Sequence, residues 1–288
     1  MATFLQFVTG GLFFGGMYTL IALGIVTIYK STKVFNLGQG WMVTLGAFIV
    51  VTFVEWFGAI PGVIAGLAFG ALLGLGIDRF LMRPLIGQPL IAAFLLTIML
   101  AYMFGGINVL VWGSFSYEMP VRLPGQPIKL GEVVISHSLL WGIGVAVLAF
   151  TAFSLFYWRT LMGRVMRATA EDHQTAQSLG LPVKGVFSLS WMLAGMLSIV
   201  GGIFLGVVSG VNMLMYHSLL GAIAVVLMGG LDSIAGAIVG GMILGLIQSL
   251  VTGYLSPSLA DVIPYIILLG ILIIKPYGLF GLVRIERL

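Results

Sequence analysis

Apolar residues run along this chain in long blocks separated by short polar connections, a pattern with neither the two-residue alternation of a strand nor the narrow stripe of a surface helix. A membrane-crossing helix needs about 20 apolar residues, because it must span a hydrocarbon core of about 30 Å at about 1.5 Å per residue. That criterion predicts spans near 4–29, 37–55, 60–78, 91–112, 136–158, 185–208, 233–253 and 262–275. The last is short, and a further short apolar piece, 218–231, lies between His217 and Asp232. The predicted fold is all-α: a polytopic helical bundle of about eight spans plus one short broken or re-entrant segment, forming one membrane domain over 1–288.

Charge fixes the orientation. With the N-terminus outside and 218–231 counted as a crossing, the connections 30–36, 78–89, 159–184 and 275–288 all lie inside. They hold every one of the 13 Lys and Arg residues except Arg122 and Lys129. Short loops rich in Lys and Arg stay in the cytoplasm. If 218–231 were instead re-entrant, Lys275, Arg284 and Arg287 would fall on the wrong side. Composition agrees with a lipid solvent: 60% of residues are hydrophobic and 8% charged, with mean hydropathy +1.17. A soluble domain carries about 25% charged residues. The net charge of +4 and pI of about 9.4 come from dispersed loop residues, with no basic stripe that would grip nucleic acid. The chain has no cysteine, which excludes thiol catalysis and Cys-based metal sites. The first apolar run is too long for a cleaved leader and is read as a retained span.

Of the 41 glycines, many recur at helical spacing: Gly62, Gly66, Gly70 and Gly74; Gly202, Gly206 and Gly210; Gly236 and Gly240; Gly241 and Gly245. Small faces let helix backbones approach closely in lipid, where no hydrophobic force draws helices together. The Gly-punctuated pieces Gly38–Phe48 and Gly221–Gly230 echo one another weakly, as paired interrupted helices of transporters do.

The longest cytoplasmic connection, 159–184, is alanine-rich, free of Gly and Pro from 164 to 179, and closed by the helix-stop residues Gly180 and Pro182. It predicts a short helix outside the bilayer with Arg164, Arg167 and Glu171 on one face by three- and four-residue spacing. A merely solvated connecting helix would account for the same residues.

Three ordered motifs carry a resemblance. The run Gly163-Arg164, then Arg167-Ala168, Ala170-Glu171-Asp172 and Leu179-Gly180-Leu181 is similar to the cytoplasmic loop of the branched-chain amino-acid class of ABC-importer permeases. The opening Tyr18 to Gly24, Val34-Phe35-Asn36-Leu37-Gly38-Gln39-Gly40 and Leu45 to Phe48 resembles that family's first third, and Gly229 to Gly236 its last third. Length and short loops suit the smaller, H-type subunit. Gln39 departs from the family, which commonly has His there, and Asp232 and Ala237 depart from its small and Pro residues. The resemblance implies a permease half that pairs with a related permease, two cytoplasmic ATPase subunits and an extracytoplasmic binding protein in the bacterial inner membrane. It assigns coupling to the ATPase to Gly163, Arg164, Arg167, Ala168, Glu171, Asp172, Gln177 and Gly180. No G-x-x-x-x-G-K-[ST] loop occurs, so the expectation is no cofactor on this chain, with ATP bound by the partners.

Candidates for a solute path are the intramembrane polar and Gly-broken positions Asn36, Gly38, Gln39, Gly40, Thr97, Tyr102, Asn108, Gly229 and Gly230, with Gln248 and Ser249 further along. Helix capping by Asn36 and Gln39, and interhelical hydrogen bonding by the others, are the plain alternatives. No Lys, Arg, Asp or Glu falls mid-span, which argues against an ion-coupled secondary carrier and against a membrane-embedded enzyme. His137, His173 and His217 are too scattered for a metal site. The substrate within the family stays open among branched-chain amino acids, amides, urea and organic acids.

Overall fold

The structure, a computed structural model, describes residues 2–121, 128–130, 133–135, 137–171, 173–260 and 262–281. The apolar blocks become helices α1 (Ala2–Thr32), α2 (Gln39–Phe57), α3 (Ala59–Gly76), α4 (Leu90–Trp112), α5 (His137–Arg159), α6 (Leu161–Glu171), α7 (His173–Ser178), α8 (Val183–Ser209), α9 (Ser218–Gly229), α10 (Ile234–Tyr254), α11 (Pro257–Ala260) and α12 (Ile263–Ile274). Among the described residues eight helical stretches are long and apolar enough to cross a membrane. The eighth is interrupted, because α11 and α12 are separate helices and Pro264 sits in the first turn of α12. Two three-residue strands, Ile128–Leu130 and Val133–Ile135, form a small antiparallel hairpin between α4 and α5 that the apolar pattern does not announce.

Helix α1 is the axis of the bundle. Its middle, including Leu20, Ile21, Leu23 and Ile25, has no exposed surface, and α5, α8, α9 and α10 pack around it. The α1–α10 seam is built on glycine: a Cβ at Gly245 would collide with the backbone of Gly11 and Gly15. The four-glycine face of α3 is divided between two partners. Gly62 and Gly66 receive Val54 and Val50 of α2, whereas Gly70 and Gly74 lie on the backbone of Gly195 and Trp191 in α8. The stripe is therefore a packing surface, used by backbones that no larger residue would allow so close.

The short segment 218–231 continues a chain path that runs from one end of the bundle to the other. A 3-10 turn, Met213–His217, leads into α9 from beside Ala47, Phe48 and Val51 of α2, where Val211 also pairs with Tyr117. At its far end, α9 meets the end of α1 and the segment after α12. Tyr29, Leu227, Asp232, Leu272 and Tyr277 surround one small cavity there, and Leu279 N–H donates to the Met228 carbonyl at 2.8 Å. Lys30 and Arg167 both sit over the Tyr157 ring at this same end, each at 5.4 Å. The end that collects these cations is the cytoplasmic one by the positive-inside rule.

Candidate functional site

Between α1 and α2 the chain turns at Lys33, which adopts a left-handed φ of 60°, and re-enters the bundle before α2 begins at Gln39. Backbone released from helical pairing inside a membrane must find partners in protein. Asn36 supplies them locally: its Oδ1 accepts from Gly38 N–H at 2.9 Å, and its Nδ2 donates to Gln39 Oε1 at 3.0 Å. Gln39 Nε2 in turn donates to Ser198 Oγ of α8 at 2.9 Å. From α4, Thr97 Oγ1 accepts from Leu37 N–H at 3.2 Å and donates to the Phe94 carbonyl at 2.8 Å. Asn36, Gln39 and Thr97 have no exposed surface.

This network lies at mid-depth. Ser188 of α8 marks the cytoplasmic end, and Ser198, ten residues further along α8, is about 15 Å deeper at helical rise. Thus Asn36, Gln39 and Thr97 are brought together as the sequence pattern suggests, in a closed polar knot with no exposed surface. Helix capping is not their role either, since Gly38 is the N-cap of α2 without a side-chain cap bond. Gly40 of α2 lies against the Tyr216 carbonyl and the Leu219 side chain, and the Trp41 and Tyr216 rings stack at 4.6 Å. The broken entry of α2 is thereby fastened to the entry of α9.

The remaining candidates lie elsewhere. Tyr102 is 77% exposed on the outer face of α4. Asn108 is buried with its Nδ2 donating to the Phe104 carbonyl at 2.9 Å, and its Oδ1 has no partner among the described residues. Gly229 packs on the backbone of Gly236, and Gly230, with φ +110°, on Gly281. These two glycines permit close backbone approach where α9, α10 and the C-terminal segment converge.

The cytoplasmic connection forms two helices, α6 and α7, where one was expected; Asp172, between them, lies outside the described residues. Gly163, Met166 and Thr169 form the inward face of α6, and Arg164, Ala168 and Glu171 the exposed one. Gly163 is required for contact, because a Cβ there would strike the carbonyls of Phe156 and Tyr157 in α5. Arg167 does not share the outward face. Its guanidinium lies 4.7 Å from the centre of the Trp158 ring and donates to the Tyr157 carbonyl. Gln177 and Gly180 are exposed, and Gly180 ends α7 at φ +76°. Leu161, Met162 and Leu179 are large, exposed and apolar on the same connection.

One polar group escapes a reading of spans. After α3 the helix continues as a π turn, Ile77–Met82, in which Arg83 N–H bonds to the Asp78 carbonyl. That five-residue spacing stacks the two side chains, so Arg83 Nε donates to the buried Asp78 Oδ2 at 3.0 Å. Ser188 Oγ donates to the same oxygen at 2.6 Å and accepts from Arg83 Nη2 at 2.6 Å. The pair therefore ties the α3–α4 connection to the start of α8. Its sequence signal is an Asp and an Arg five apart, which an α-helical reading places on different faces.

A bundle of at least eight crossings, with buried polar knots at two depths and an amphipathic helix held on its cytoplasmic end, defines a multi-pass membrane transport subunit. The chain belongs to the family described as branched-chain amino acid transport system / permease component, whose pattern matches residues 7–272. It is 26% identical to the high-affinity branched-chain amino acid transport system permease protein LivH of Escherichia coli (strain K12), over 99% of this chain and 97% of that protein. It is 28% identical to permease protein BraD of Pseudomonas aeruginosa, over 99% and 98% of the two chains. A probable branched-chain amino acid transport permease LivH of Methanocaldococcus jannaschii is 29% identical over 94% and 91%. Among solved structures, PsaBC of Streptococcus pneumoniae in complex with Fab shares the fold, with TM-score 0.53 at 13% identity over 94% of this chain and 93% of that one.

Proposed function

We propose that this chain is the membrane-spanning permease subunit of an ATP-driven importer of branched-chain amino acids in the bacterial inner membrane. It pairs with a related permease, takes solute from an extracytoplasmic binding protein, and is driven by two cytoplasmic ATPase subunits that hold the ATP. The observation that carries the reading is the α6 helix. It is locked to α5 through Gly163 and Arg167 while Arg164, Ala168 and Glu171 face outward. A helix rigidly joined to the bundle on one side and exposed on the other is the part an ATPase needs in order to push on the spans. The polar knot of Asn36, Gln39, Thr97 and Ser198 then braces the broken helix entries beside the solute path; Gly40 lets the entries of α2 and α9 sit close together, and Gly38 lets the entry of α2 sit against α4.

The test is reconstitution of the complete complex in proteoliposomes with leucine-loaded binding protein outside and ATP inside. Leucine uptake should require ATP, and Glu171→Lys should lose uptake at least tenfold while the complex still assembles. Uptake driven by an ion gradient without ATP, or full uptake by Glu171→Lys, would remove the assignment.

A further inference from the structure

A cavity of about 650 Å³ opens between α1, the start of α9, the outer half of α10 and the start of α12. Its floor is near mid-membrane, since Gly221 rests on the ring of Tyr18, the middle of the 31-residue α1. Ser209, at the end of α8, and Asn212 lie on its outer rim. Of the sequence's path candidates, Gln248 and the start of the 218–231 segment line it, whereas Asn36, Gln39 and Thr97 do not.

Two oxygens in its wall lack a hydrogen-bond partner among the described residues: Ser218 Oγ, on a residue only 9% exposed, and Gln248 Oε1. Native proteins pair nearly all buried polar atoms, and each exception calls for an explanation such as a missing ligand. The site is not a bare helix start, because the N–H of Ser218 is already taken by the carbonyls of Met215 and Tyr216. The wall is otherwise mixed: Phe14, Met17, Leu205 and Leu244 are apolar, Tyr18, Ser209, Asn212, His217 and Tyr265 carry polar groups, and it contains no Lys, Arg, Asp or Glu. An uncharged, largely apolar pocket with a few convergent polar groups suits a small solute of zero net charge.

We propose that this outward cavity receives the solute as a zwitterionic amino acid, whose ammonium donates to Gln248 Oε1 and whose carboxylate accepts from the Ser218 hydroxyl, each after a side-chain turn toward the cavity. The aliphatic side chain of the solute lies against Phe14 and Leu244. A wall without Lys, Arg, Asp or Glu offers no fixed charge to hold the solute, so the site binds weakly, as a relay between binding protein and cytoplasm must. The proposal rests on the amino-acid importer reading and adds the place and the chemistry.

The experiment uses the complete complex in proteoliposomes and the absence of native cysteine in this chain. In Ser218→Cys, a small methanethiosulfonate reagent added outside should label the thiol, and leucine at tens of millimolar should slow labelling at least threefold. Isocaproate, which has the carboxylate and side chain without the ammonium, should not. Adding Gln248→Leu should abolish the protection by leucine. Independently, Ser218→Ala should lower leucine uptake about fivefold with no fall in melting temperature, because the hydroxyl removed has no partner to lose. No labelling, equal protection by both solutes, or unchanged uptake by Ser218→Ala overturns the proposal. Failure of the unaltered complex to take up leucine at all, while it hydrolyses ATP with another solute, overturns the importer reading of substrate instead.

Discussion

The guanidinium of Arg167 lies 4.7 Å from the centre of the Trp158 ring and 5.4 Å from that of Tyr157, so one cation of α6 is spread over two aromatic rings that end α5. Lys30 of α1 approaches the Tyr157 ring at 5.4 Å as well. The cation contact thus adds to the packing of Gly163 and Met166 in fixing this cytoplasmic helix to α5, whose Tyr157 ring is also held by α1 through Lys30. A cation over an aromatic face contributes about 0.5–2 kcal/mol. Arg167→Ala should therefore lower stability of the purified complex by about 1–2 kcal/mol and expose 159–184 to added protease. Arg167→Lys should restore part of this, because an ammonium keeps the charge and loses the planar stacking. Protease resistance equal to that of the unaltered protein would show that Gly163 and the α6 core contacts suffice.

Orientation has a separate test. Gln177 is exposed on α7, at the end that carries Lys30, Arg164 and Arg167. Gln177→Cys in this cysteine-free chain should react with an impermeant maleimide only after the membrane is opened. Labelling in intact cells would reverse the bundle and with it the cytoplasmic assignment of α6.

Much of this was legible in the sequence, for identifiable reasons. Spans are written in uninterrupted apolar length, and the observed α2, α4, α8 and α10 begin and end within two residues of the expected bounds. The charge pattern needs 218–231 to count as a crossing, and α9 with its leading 3-10 turn runs toward the end of the bundle where α1 ends. What sequence spacing could not show is which way a polar side chain turns. Arg167 shares α-helical spacing with Arg164 and Glu171, yet the aromatic pair at 157 and 158 draws it inward. Asp78 and Arg83 meet only because the backbone takes a π turn, which no periodicity announces. Asn36 and Gln39 looked like path residues because they are polar and at depth, and the same features suit a knot that satisfies broken backbone. Ser218 entered only as the first residue of the short 218–231 segment, since an apolar run beginning with Ser resembles a helix start.

The Asp78–Arg83–Ser188 group is half in the protein and half at its edge. Asp78 is 1% exposed and Arg83 32% on the side chain, so the full cost of orphaning a buried charge, about 3–5 kcal/mol, must be discounted. Arg83→Gln should cost about 1–3 kcal/mol, measured as a fall in denaturant midpoint or melting temperature. Asp78→Asn with Arg83→Gln should recover part of that loss, because no unpaired carboxylate then remains beside Ser188. Equal destabilisation by the single and the double change would mean that packing of the π turn, and not charge, holds the two segments.

The glycine seam between α1 and α10 allows a stronger statement. A Cβ at Gly245 would meet backbone atoms of Gly11 and Gly15, which cannot rotate away as a side chain could. Gly245→Leu should therefore prevent assembly of the permease. Gly144, where a Cβ would meet nothing within 4 Å, should accept Leu with stability unchanged. Co-purification with the partner permease and the melting temperature distinguish the two. Normal assembly of Gly245→Leu would mean that the two helices can separate at little cost.

Gln39 offers the most discriminating substitution because its two ends have opposite duties. Oε1 accepts from Asn36 Nδ2 at 3.0 Å, and Nε2 donates to Ser198 Oγ at 2.9 Å, with no water access to either. Leucine at this position fills similar space and strands the Asn36 amide, so Gln39→Leu should destabilise by about 2–3 kcal/mol. Histidine at this position can reproduce both duties only when neutral, one ring nitrogen accepting and the other donating. Gln39→His should therefore assemble and take up leucine at pH 7.5 within about threefold of the unaltered protein. An imidazole has an ordinary pKa of about 6.5, and protonation would turn its accepting nitrogen into a donor facing the Asn36 N–H. Protonation would set donor against donor inside the knot, so the variant should lose stability as pH falls through that range. A melting temperature for Gln39→His that drops between pH 7.5 and 5.5, while the unaltered protein stays flat, is the expected result. A pH-independent variant would mean that the imidazole has turned away from Asn36 and that the knot tolerates its own opening.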